Sequence, residues 1–362
     1  MQAGEWRVLA INPGSTSTKI AVYANDRAEF ERNLSHSDDE METFRGRPIL
    51  GQLEFRQLRI ERELSEAGYG LEQFQAVVGR GGLMRPVASG TYRVNEAMLE
   101  DLRSTRYGEH ASNLGAFLAQ AIGRKAGAEA FIVDPVSVDE FSERAQVSGS
   151  ALVGRQCLSH ALNTKAVVKR YARERGRAYA KLRLVVAHLG SGISVSAHEG
   201  GQMVDANVAG QEGAFAMDRS GGLQIQKVIQ LCFSGKYNEK QLWNELNREG
   251  GVYSYLGTKD LREVERRIEA GDRQAELIFD AMVYQTAKDI GAMATVLDGR
   301  VDAVLLTGGM AHSEKLVGKL REAIEWIAPV TVYPGEDELQ ALAEGAMRVL
   351  RGEEQARELG QG

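Results

Sequence analysis

The sequence predicts an α/β fold in two lobes, and three observations lead to this prediction. Short apolar runs typical of strands alternate with longer segments of helical periodicity, which is the pattern of an α/β protein. A strand–turn–strand segment near the N-terminus has a second copy about half a chain further on. The chain has 362 residues, which is more than one average hydrophobic core holds, so we expect about two domains.

The predicted elements follow one another from the N-terminus in a regular order. Apolar runs bounded by Gly, Pro or polar residues predict strands at 9–11, 20–23, 74–82 and 130–135. Helical spacing of apolar residues predicts helices at 53–67 and 111–127. Residues 301–324 predict another strand, a Gly-Gly turn and a helix, and the apolar positions after Asp337 predict a last helix.

The duplicated segments are "VLAINPGSTSTKIAVYAND" at 8–26 and "LVVAHLGSGISVSAHEGG" at 184–201. Each segment consists of an apolar strand, a Gly-Ser turn, an alternating strand and a polar turn, in that order. Taken alone, either turn suits an ordinary hairpin, which needs small residues, or a phosphate cradle of N–H and hydroxyl groups. Chance similarity of two short hairpins is the alternative to duplication. The duplication favours a two-lobed enzyme with one phosphate turn in each lobe.

The third Gly-rich turn, in "LLTGGMA" at 305–311, precedes a helical pattern and therefore does not belong to a hairpin. Its N–H groups and the positive end of the helix suit a phosphate or a sugar. The sequence has no G-x-x-x-x-G-K-[ST] motif, which excludes a Walker-type phosphate loop. It also has no G-x-G-x-x-G after a strand, which argues against dinucleotide binding.

Composition excludes several other classes of protein. The net charge is −6, so no broad basic face is expected and nucleic acid is not an expected partner. The two cysteines, Cys157 and Cys232, have no metal-ligand spacing and fit a reducing compartment. No apolar run approaches the length of a membrane span, and the N-terminus has no signal-peptide pattern. We expect a cytoplasmic protein without a membrane partner.

Motifs along nearly the whole chain resemble those of the acetate kinase family, and more narrowly its butyrate kinases. The motifs are "INPGSTSTK", "VVGRGGLMRPVASGTYRVNEAM", "GEHASNLGA", "DPVSVDEF", "SHALNTKAV", "AHLGSGISVSAHEGG", "DRSGG" and "YPGEDELQALAEGA". The family belongs to the superfamily of acetate and sugar kinases, heat-shock chaperones and actin. Any one of these motifs would be weak alone, but together they are specific.

The resemblance implies two ribonuclease H-like lobes with mixed sheets flanked by helices, and a nucleotide in the cleft between them. The implied lobes are residues 1–150 with 338–362, and residues 151–337. The implied reaction is reversible phosphoryl transfer between ATP and a short-chain carboxylic acid, giving an acyl phosphate and ADP, with Mg²⁺. The resemblance also suggests a homodimer or a higher homo-oligomer.

Phosphoryl transfer asks mostly for positioning and charge neutralisation, and the arginine fork suits both carboxylate and phosphate oxygens. By resemblance, Arg80 holds the carboxylate of the acid and Arg219 stabilises the transferring phosphoryl group. His160 matches the histidine that donates a hydrogen bond to that group. Without the resemblance, the sequence favours a surface salt bridge for Arg80, and a lone histidine such as His160 is usually structural.

Metal contacts are implied for Asn12, beside the first turn, and for Asp134, which ends a predicted strand and supports the metal or orients an arginine. Both are also counted among the implied catalytic residues. The family has an acidic metal contact just before the last helix, where this chain offers Glu336, Asp337 and Glu338. Matching without gaps selects Asp337. Acidic residues are also common at helix starts for electrostatic reasons.

Implied nucleotide contacts lie on all three turns and on one later segment. They are Gly14, Ser15, Ser17, His188, Gly190, Ser191, Gly192, Asp260, Arg262, Gly308, Gly309 and Met310. His110 and Ser159 are expected near the acyl group of the substrate. Other butyrate kinases usually have an aromatic residue in place of Ser159 and a glutamate in place of Asp218. A smaller residue beside His160 predicts that branched or longer acids are accepted at least as well as butyrate.

Two alternatives remain at this point. The chain could phosphorylate another small acceptor, such as acetate, propionate or a sugar, although the two arginine-bearing Gly segments fit a carboxylate better than a sugar hydroxyl. It could also be a non-enzymatic ATP-driven module of the same superfamily. Such modules carry partner-binding domains or polymer surfaces, and the sequence shows no such domain after the last predicted helix.

Overall fold

The computed structural model describes residues 6–360. The chain divides into two compact units. The first unit contains the chain up to Val138 together with the chain from Asp337 onward, and the second unit contains Asp139–Glu336. The sequence prediction placed these divisions later, at 150/151 and 337/338.

The first unit contains six strands and several helices. Its strands are β1 (Arg7–Pro13), β2 (Ser17–Ala24), β3 (Arg27–Ser35), β4 (Ala76–Arg80), β5 (Thr91–Arg93) and β6 (Glu129–Val133). Its helices are α1 (Asp38–Glu42), α2 (Leu53–Glu66), α3 (Glu96–Ser104), α4 (Leu114–Ala126) and the C-terminal helix (Glu338–Leu350). Short 3₁₀ turns occupy Ile49–Gln52, Leu71–Gln73 and Ala111–Asn113.

The sheet of the first unit is mixed, with the strand order β3-β2-β1-β4-β6-β5. β1 pairs antiparallel with β2 and parallel with β4. Alternate side chains of β1 and β2, such as Leu9 and Ile20, pack with Ile60 of α2 and Leu118 of α4 in one buried core. The C-terminal helix packs against β1, β4 and β6.

The second unit contains the remaining elements. Its strands are β7 (Leu184–Leu189), β8 (Ile193–Glu199), β9 (Gln202–Ala206), β10 (Ala303–Gly308) and β11 (Val330–Pro334). Its helices are α5 (Glu143–Gln146), α6 (Ala161–Glu174), α7 (Ile225–Cys232), α8 (Glu239–Asn247), α9 (Gly251–Leu256), α10 (Leu261–Glu269), α11 (Arg273–Val296) and α12 (Glu314–Ile324). Tyr179–Lys181 and Gly309–His312 form 3₁₀ turns.

The second sheet has the strand order β11-β10-β7-β8-β9. β7 pairs antiparallel with β8 and parallel with β10, as β1 does with β2 and β4. The long helix α11 contributes Phe279, Met282 and Ile290 to a large core with β7, β8 and β10. A smaller core contains Val168 and Tyr171 of α6 with Leu184 and Leu305.

The structure confirms the predicted α/β class and the internal duplication. Both copies form the same antiparallel pair of strands, and both pairs sit at the same place in sheets of matching order. The helix predicted at 53–67 is α2, and the strand, turn and helix predicted within 301–324 are all present. In the described part of the chain, no helix is both long and apolar enough to span a membrane.

Candidate active site

In the first unit, Asn12, Arg80 and Glu338 form a hydrogen-bonded cluster. Asn12 Nδ2 donates to Glu338 Oε2 over 2.5 Å, and Arg80 Nη1 lies 2.6 Å from Glu338 Oε1. Asn12 is buried and the other two side chains are partly buried. The cluster joins an amide, a cation and an anion that come from three distant parts of the sequence.

Close packing of two glycines positions Arg80 at the end of β4. A Cβ at Gly79 would overlap with the carbonyl group of Gly115 in α4, and a Cβ at Gly115 would overlap with the carbonyl oxygen of Arg80. The helix therefore lies directly against the strand. Because β1 and β4 are parallel neighbours, their carboxyl ends, which carry Asn12 and Arg80, lie at one edge of the sheet.

Glu338, and not the predicted Asp337, is the acidic residue that contacts Asn12 and Arg80. Asp337 is exposed at the start of the C-terminal helix, whereas Glu338 is the first residue of that helix and is half-buried. Successive residues of a helix point about 100° apart, so a difference of one position changes which carboxylate reaches the cluster. A metal contact by Asp337 stays a prediction.

Asp134 and His110 have structural contacts of their own. Asp134 is buried, has a left-handed backbone with φ of 37°, and accepts hydrogen bonds from Ser89 Oγ and the Gly90 N–H. His110 is exposed, and its Nδ1 accepts from the Ser112 N–H at the start of a 3₁₀ turn. Their predicted roles toward metal and acyl group stay predictions.

In the second unit, two histidines stack beside the second turn. The rings of His160 and His188 lie 3.8 Å apart between centroids, with planes 10° from parallel. His160 Nδ1 lies 3.0 Å from Ser194 Oγ, and His188 Nδ1 lies 2.8 Å from Asn163 Oδ1. Because the amide oxygen of Asn163 can only accept, it places the proton of His188 on Nδ1.

The second ring nitrogen of His188, Nε2, points toward a carboxylate. This atom lies 3.1 Å from Glu336 Oε1, but without the alignment of a hydrogen bond. A Cβ at Gly190 would lie 3.0 Å from the same Nε2 atom. The second turn therefore packs directly on the imidazole of His188.

Arg219 lies against the second turn. Its Cγ atom is 3.8 Å from the position that a Cβ would take at Gly192. Its Nε lies 3.5 Å from Asp218 Oδ1, and Lys259 Nζ lies 3.7 Å from Asp218 Oδ2. The aspartate that replaces the usual glutamate of the family pattern thus contacts two cations.

A pocket of about 970 Å³ opens beside the second and third turns. Its lining includes six of the predicted nucleotide contacts: Gly190, Ser191, Asp260, Arg262, Gly309 and Met310. Asp260 and Arg262 form an ion pair of 2.8 Å, and Arg262 lowers the pKa of Asp260. A cavity of this size, bordered by small residues and by a few polar groups, is suited to a nucleotide.

The third turn is held by contact between two backbones. Gly308 has a φ of 93°, and a Cβ there would overlap with the carbonyl oxygen of Leu189. Leu189 directly precedes the second turn. Only glycine at 308 therefore allows the second and third turns to lie side by side.

Ser159 lies in the interior of the second unit. It is buried, and its Oγ is 3.5 Å from Cys157 Sγ and 3.6 Å from Met203 Sδ. Burial raises the pKa of the Cys157 thiol to about 12, so this thiol is protonated at neutral pH. The space beside the small Ser159 side chain is thus occupied by the sulfur atoms of Cys157 and Met203.

Neither Asn163 nor Ser194 is predicted from the sequence to be a partner of the two histidines. Asn163 stands one helical turn after His160, and Ser194 is an alternating position of β8. Neither position differs in residue type from ordinary helix and strand positions. Only the fold brings them to the imidazole rings.

Proteins of known name are similar to this chain over nearly its full length. A family model for the acetokinase family matches residues 150–332. The "Probable butyrate kinase" of Listeria monocytogenes serotype 4a (strain HCC23) is 48% identical over 352 residues, covering 97% of this chain and 99% of that protein. "Butyrate kinase 2" of Clostridium acetobutylicum is 46% identical over 354 residues, covering 98% and 99%.

The fold agrees with a solved structure. The crystal structure of Porphyromonas gingivalis acetate kinase matches with a TM-score of 0.79 at 19% identity, covering 95% of this chain and all of that one. At this identity the likeness concerns the fold. The family model and the sequence relatives show that the chain belongs to the acetokinase family of carboxylate-phosphorylating kinases.

Proposed function

We propose that the chain transfers the γ-phosphoryl group of ATP reversibly to butyrate or a related short- or branched-chain fatty acid, giving an acyl phosphate and ADP. The observation that carries this proposal is the position of Arg219. Its guanidinium lies against a glycine turn that borders a nucleotide-sized pocket. A cation at that position is suited to the charge that builds up on a phosphoryl group in flight.

The described side chains would have separate roles in the reaction. Arg80 is suited to hold the carboxylate of the acid, with Glu338 fixing the guanidinium and Asn12 in turn holding Glu338. His160 would donate a hydrogen bond to the transferring group, and Asn163 and Ser194 orient the two stacked rings. A carboxylic acid is already ionised at neutral pH, so the reaction needs no general base.

A magnesium ion fits the acidic groups of the first unit. Among the residues that the structure describes, no three His, Cys, Asp or Glu side chains cluster as a metal site. Mg²⁺ commonly takes only one or two carboxylates and fills its other positions with water and substrate phosphates. The Glu338 carboxylate and the Asn12 amide would hold it, with Asp134 and Asp337 as further predicted contacts. When bound, it would neutralise phosphate charge.

Acetate or propionate as the preferred acid is the second candidate. The difference between successive acids is one methylene, worth only about 1–3 kcal/mol of discrimination in an apolar pocket. Cys157 and Met203 occupy the space around Ser159. A serine in place of an aromatic residue therefore does not by itself imply a wider site for the acid. Acid preference therefore has to be measured.

A panel of acids tests the proposal. The protein is given ATP, Mg²⁺ and acetate, propionate, butyrate, isobutyrate or isovalerate, and acyl phosphate is trapped as the hydroxamate. We expect the highest kcat/KM for butyrate or a branched acid. Acyl phosphate from none of the acids would overturn the kinase proposal, and a strong preference for acetate would overturn the proposed substrate.

The assembly we propose is a homodimer or a higher homo-oligomer in the cytoplasm. Several large apolar side chains of the second unit are exposed, among them Ile225, Ile229 and Phe233 on and beside α7. Contact with another copy would remove such apolar surface from water. Light scattering on the purified chain would give the mass of the assembly, and a monomer at micromolar concentration would contradict this part of the proposal.

A further inference from the structure

The first unit buries an arginine that has no acidic partner among residues 6–360. Arg56, on α2, has no exposed surface. Its Nη1 donates to Ser17 O and Thr18 Oγ1, both at 2.9 Å, and its Nη2 donates to Ser15 O at 3.3 Å. Gln52 Oε1 accepts from Nη2 at 2.8 Å and from Nε at 3.0 Å. Every acceptor is neutral, although a buried charge is ordinarily paired with an opposite one.

The cluster around Arg56 keeps one positive charge at neutral pH. Burial lowers the pKa of Arg56 to about 10, which leaves the guanidinium protonated. His36, whose Nε2 lies 3.0 Å from Thr18 Oγ1, has a pKa lowered to about 4 by burial and by Arg56 and Arg59, so it is neutral. The nearby Arg59 is paired with Glu40. The unneutralised charge in this cluster is therefore that of Arg56.

The same cluster turns the carbonyl groups of the first turn inward. Ser15 O and Ser17 O accept from Arg56, Ser17 O also accepts from the Gly14 N–H, and Thr16 O accepts from the His36 N–H. Of the hydrogen bonds among residues 6–360, none uses the N–H groups of Ser15 or Thr16 or the hydroxyl groups of Ser15, Thr16 and Ser17. Ser15 and Thr16 are exposed. The outer face of the turn thus presents donors, with the cation directly behind it.

We propose that Arg56 is a positioning residue for the first turn, and that its charge is balanced only when a phosphoryl oxyanion binds to the outer face of that turn. This inference rests on the proposed function, because the transferring phosphoryl group supplies the anion. A donor-lined turn with a fixed cation behind it stabilises negative charge without having to reorganise. The positive charge of the buried Arg56 guanidinium would thus contribute to the binding of the substrate anion.

Gln52→Glu tests the inference with little change in shape. The new carboxylate would accept the same two N–H groups of Arg56 and neutralise the guanidinium. If Arg56 serves the fold alone, this ion pair leaves activity unchanged. If its charge serves the anion, kcat/KM for ATP falls by about tenfold or more, while the free energy of unfolding stays the same or rises. Arg56→Lys, which keeps the charge and loses the fork, should retain more activity than Arg56→Met.

Gln57→Glu is the matched control. It makes the same substitution five residues further along the chain, on α2, where the side chain donates to Glu61 and not to Arg56. We expect kcat/KM within about twofold of the unmodified chain, because the new carboxylate makes no contact with Arg56 and, on a partly exposed side chain next to the Glu61–Lys125 pair, it is screened by solvent and by that cation. An equal loss of activity in both variants would overturn the inference, since the effect would then be a general one of added negative charge.

Equilibrium binding separates the inference from the proposed function. For Gln52→Glu we expect a weaker Kd for a non-hydrolysable ATP analogue and an unchanged Kd for ADP, which lacks the transferring group. Equal weakening of both would overturn the assignment of the anion to the transferring phosphoryl group. Unchanged binding of both, with unchanged activity, would overturn the inference. If no acid is phosphorylated by the unmodified chain, the proposed function fails while this binding comparison still stands.

Discussion

The first and second turns join equivalent pairs of strands in the two units, but the side chains that lie behind the two turns differ. Behind the first turn lies Arg56, a permanent cation supplied by a helix outside the strand pair. Behind the second turn lies His188, an imidazole supplied by β7 itself and held by Asn163. The two turns also differ in what fixes them, because a side chain anchors the first and the backbone of Gly308 packs against the second. The two copies therefore share the strand pair and not the electrostatic support of its turn.

The largest effect should come from removing the cation outside the second turn. Arg219→Ala is expected to lower kcat by about a thousandfold or more, as loss of an arginine finger does. The side chain is partly exposed and pairs loosely with Asp218, so the fold should survive. Steady-state kinetics and a thermal melt on the same sample check both statements. A loss of less than tenfold would contradict the proposed role of Arg219 beside the second turn.

Gly308→Ala should break the backbone support of the second turn. The new Cβ would overlap with the carbonyl oxygen of Leu189, and the φ of 93° is unfavourable for alanine. We expect a loss of about 2 kcal/mol or more in the free energy of unfolding, measured in urea. Gly309→Ala is the control, because its Cβ would meet nothing within 4 Å. Equal stability of the two variants would contradict the close packing of the turns.

The smallest expected effect is on the pH dependence of stability, through His36 behind the first turn. The pKa of His36 is about 4 in the folded chain and 6.5 in the reference state. Between these values the unfolded chain binds more protons, so His36 makes stability fall as pH drops from 6.5 toward 4. His36→Gln, which keeps a neutral hydrogen-bonding group, should show a shallower decline. Urea unfolding at several pH values compares the two, and parallel declines would contradict the neutral state of His36.

Local patterns were enough to predict much of this molecule. The alternation in "VLAINPGSTSTKIAVYAND" and its copy depends on neighbouring residues alone, so strand, turn and strand could be recognised before any contact was known. Family motifs identified Asn12, Arg80, His160 and Arg219 as candidates, and the structure gives each a position at the end of a strand, at the start of a helix or beside a glycine turn.

The α/β class, the duplication and the glycine turns could all be predicted from the sequence, because each depends on residues close together in the chain. Which distant side chains support those turns is apparent only in the folded protein. Arg56 stands 38 to 41 residues after the turn atoms that it binds, and Glu338 stands 326 residues after Asn12. No local periodicity encodes such a contact, since it depends on how a helix is rotated and seated on the sheet. One residue of helical rotation separates Glu338 from Asp337, and it decides which carboxylate meets Arg80.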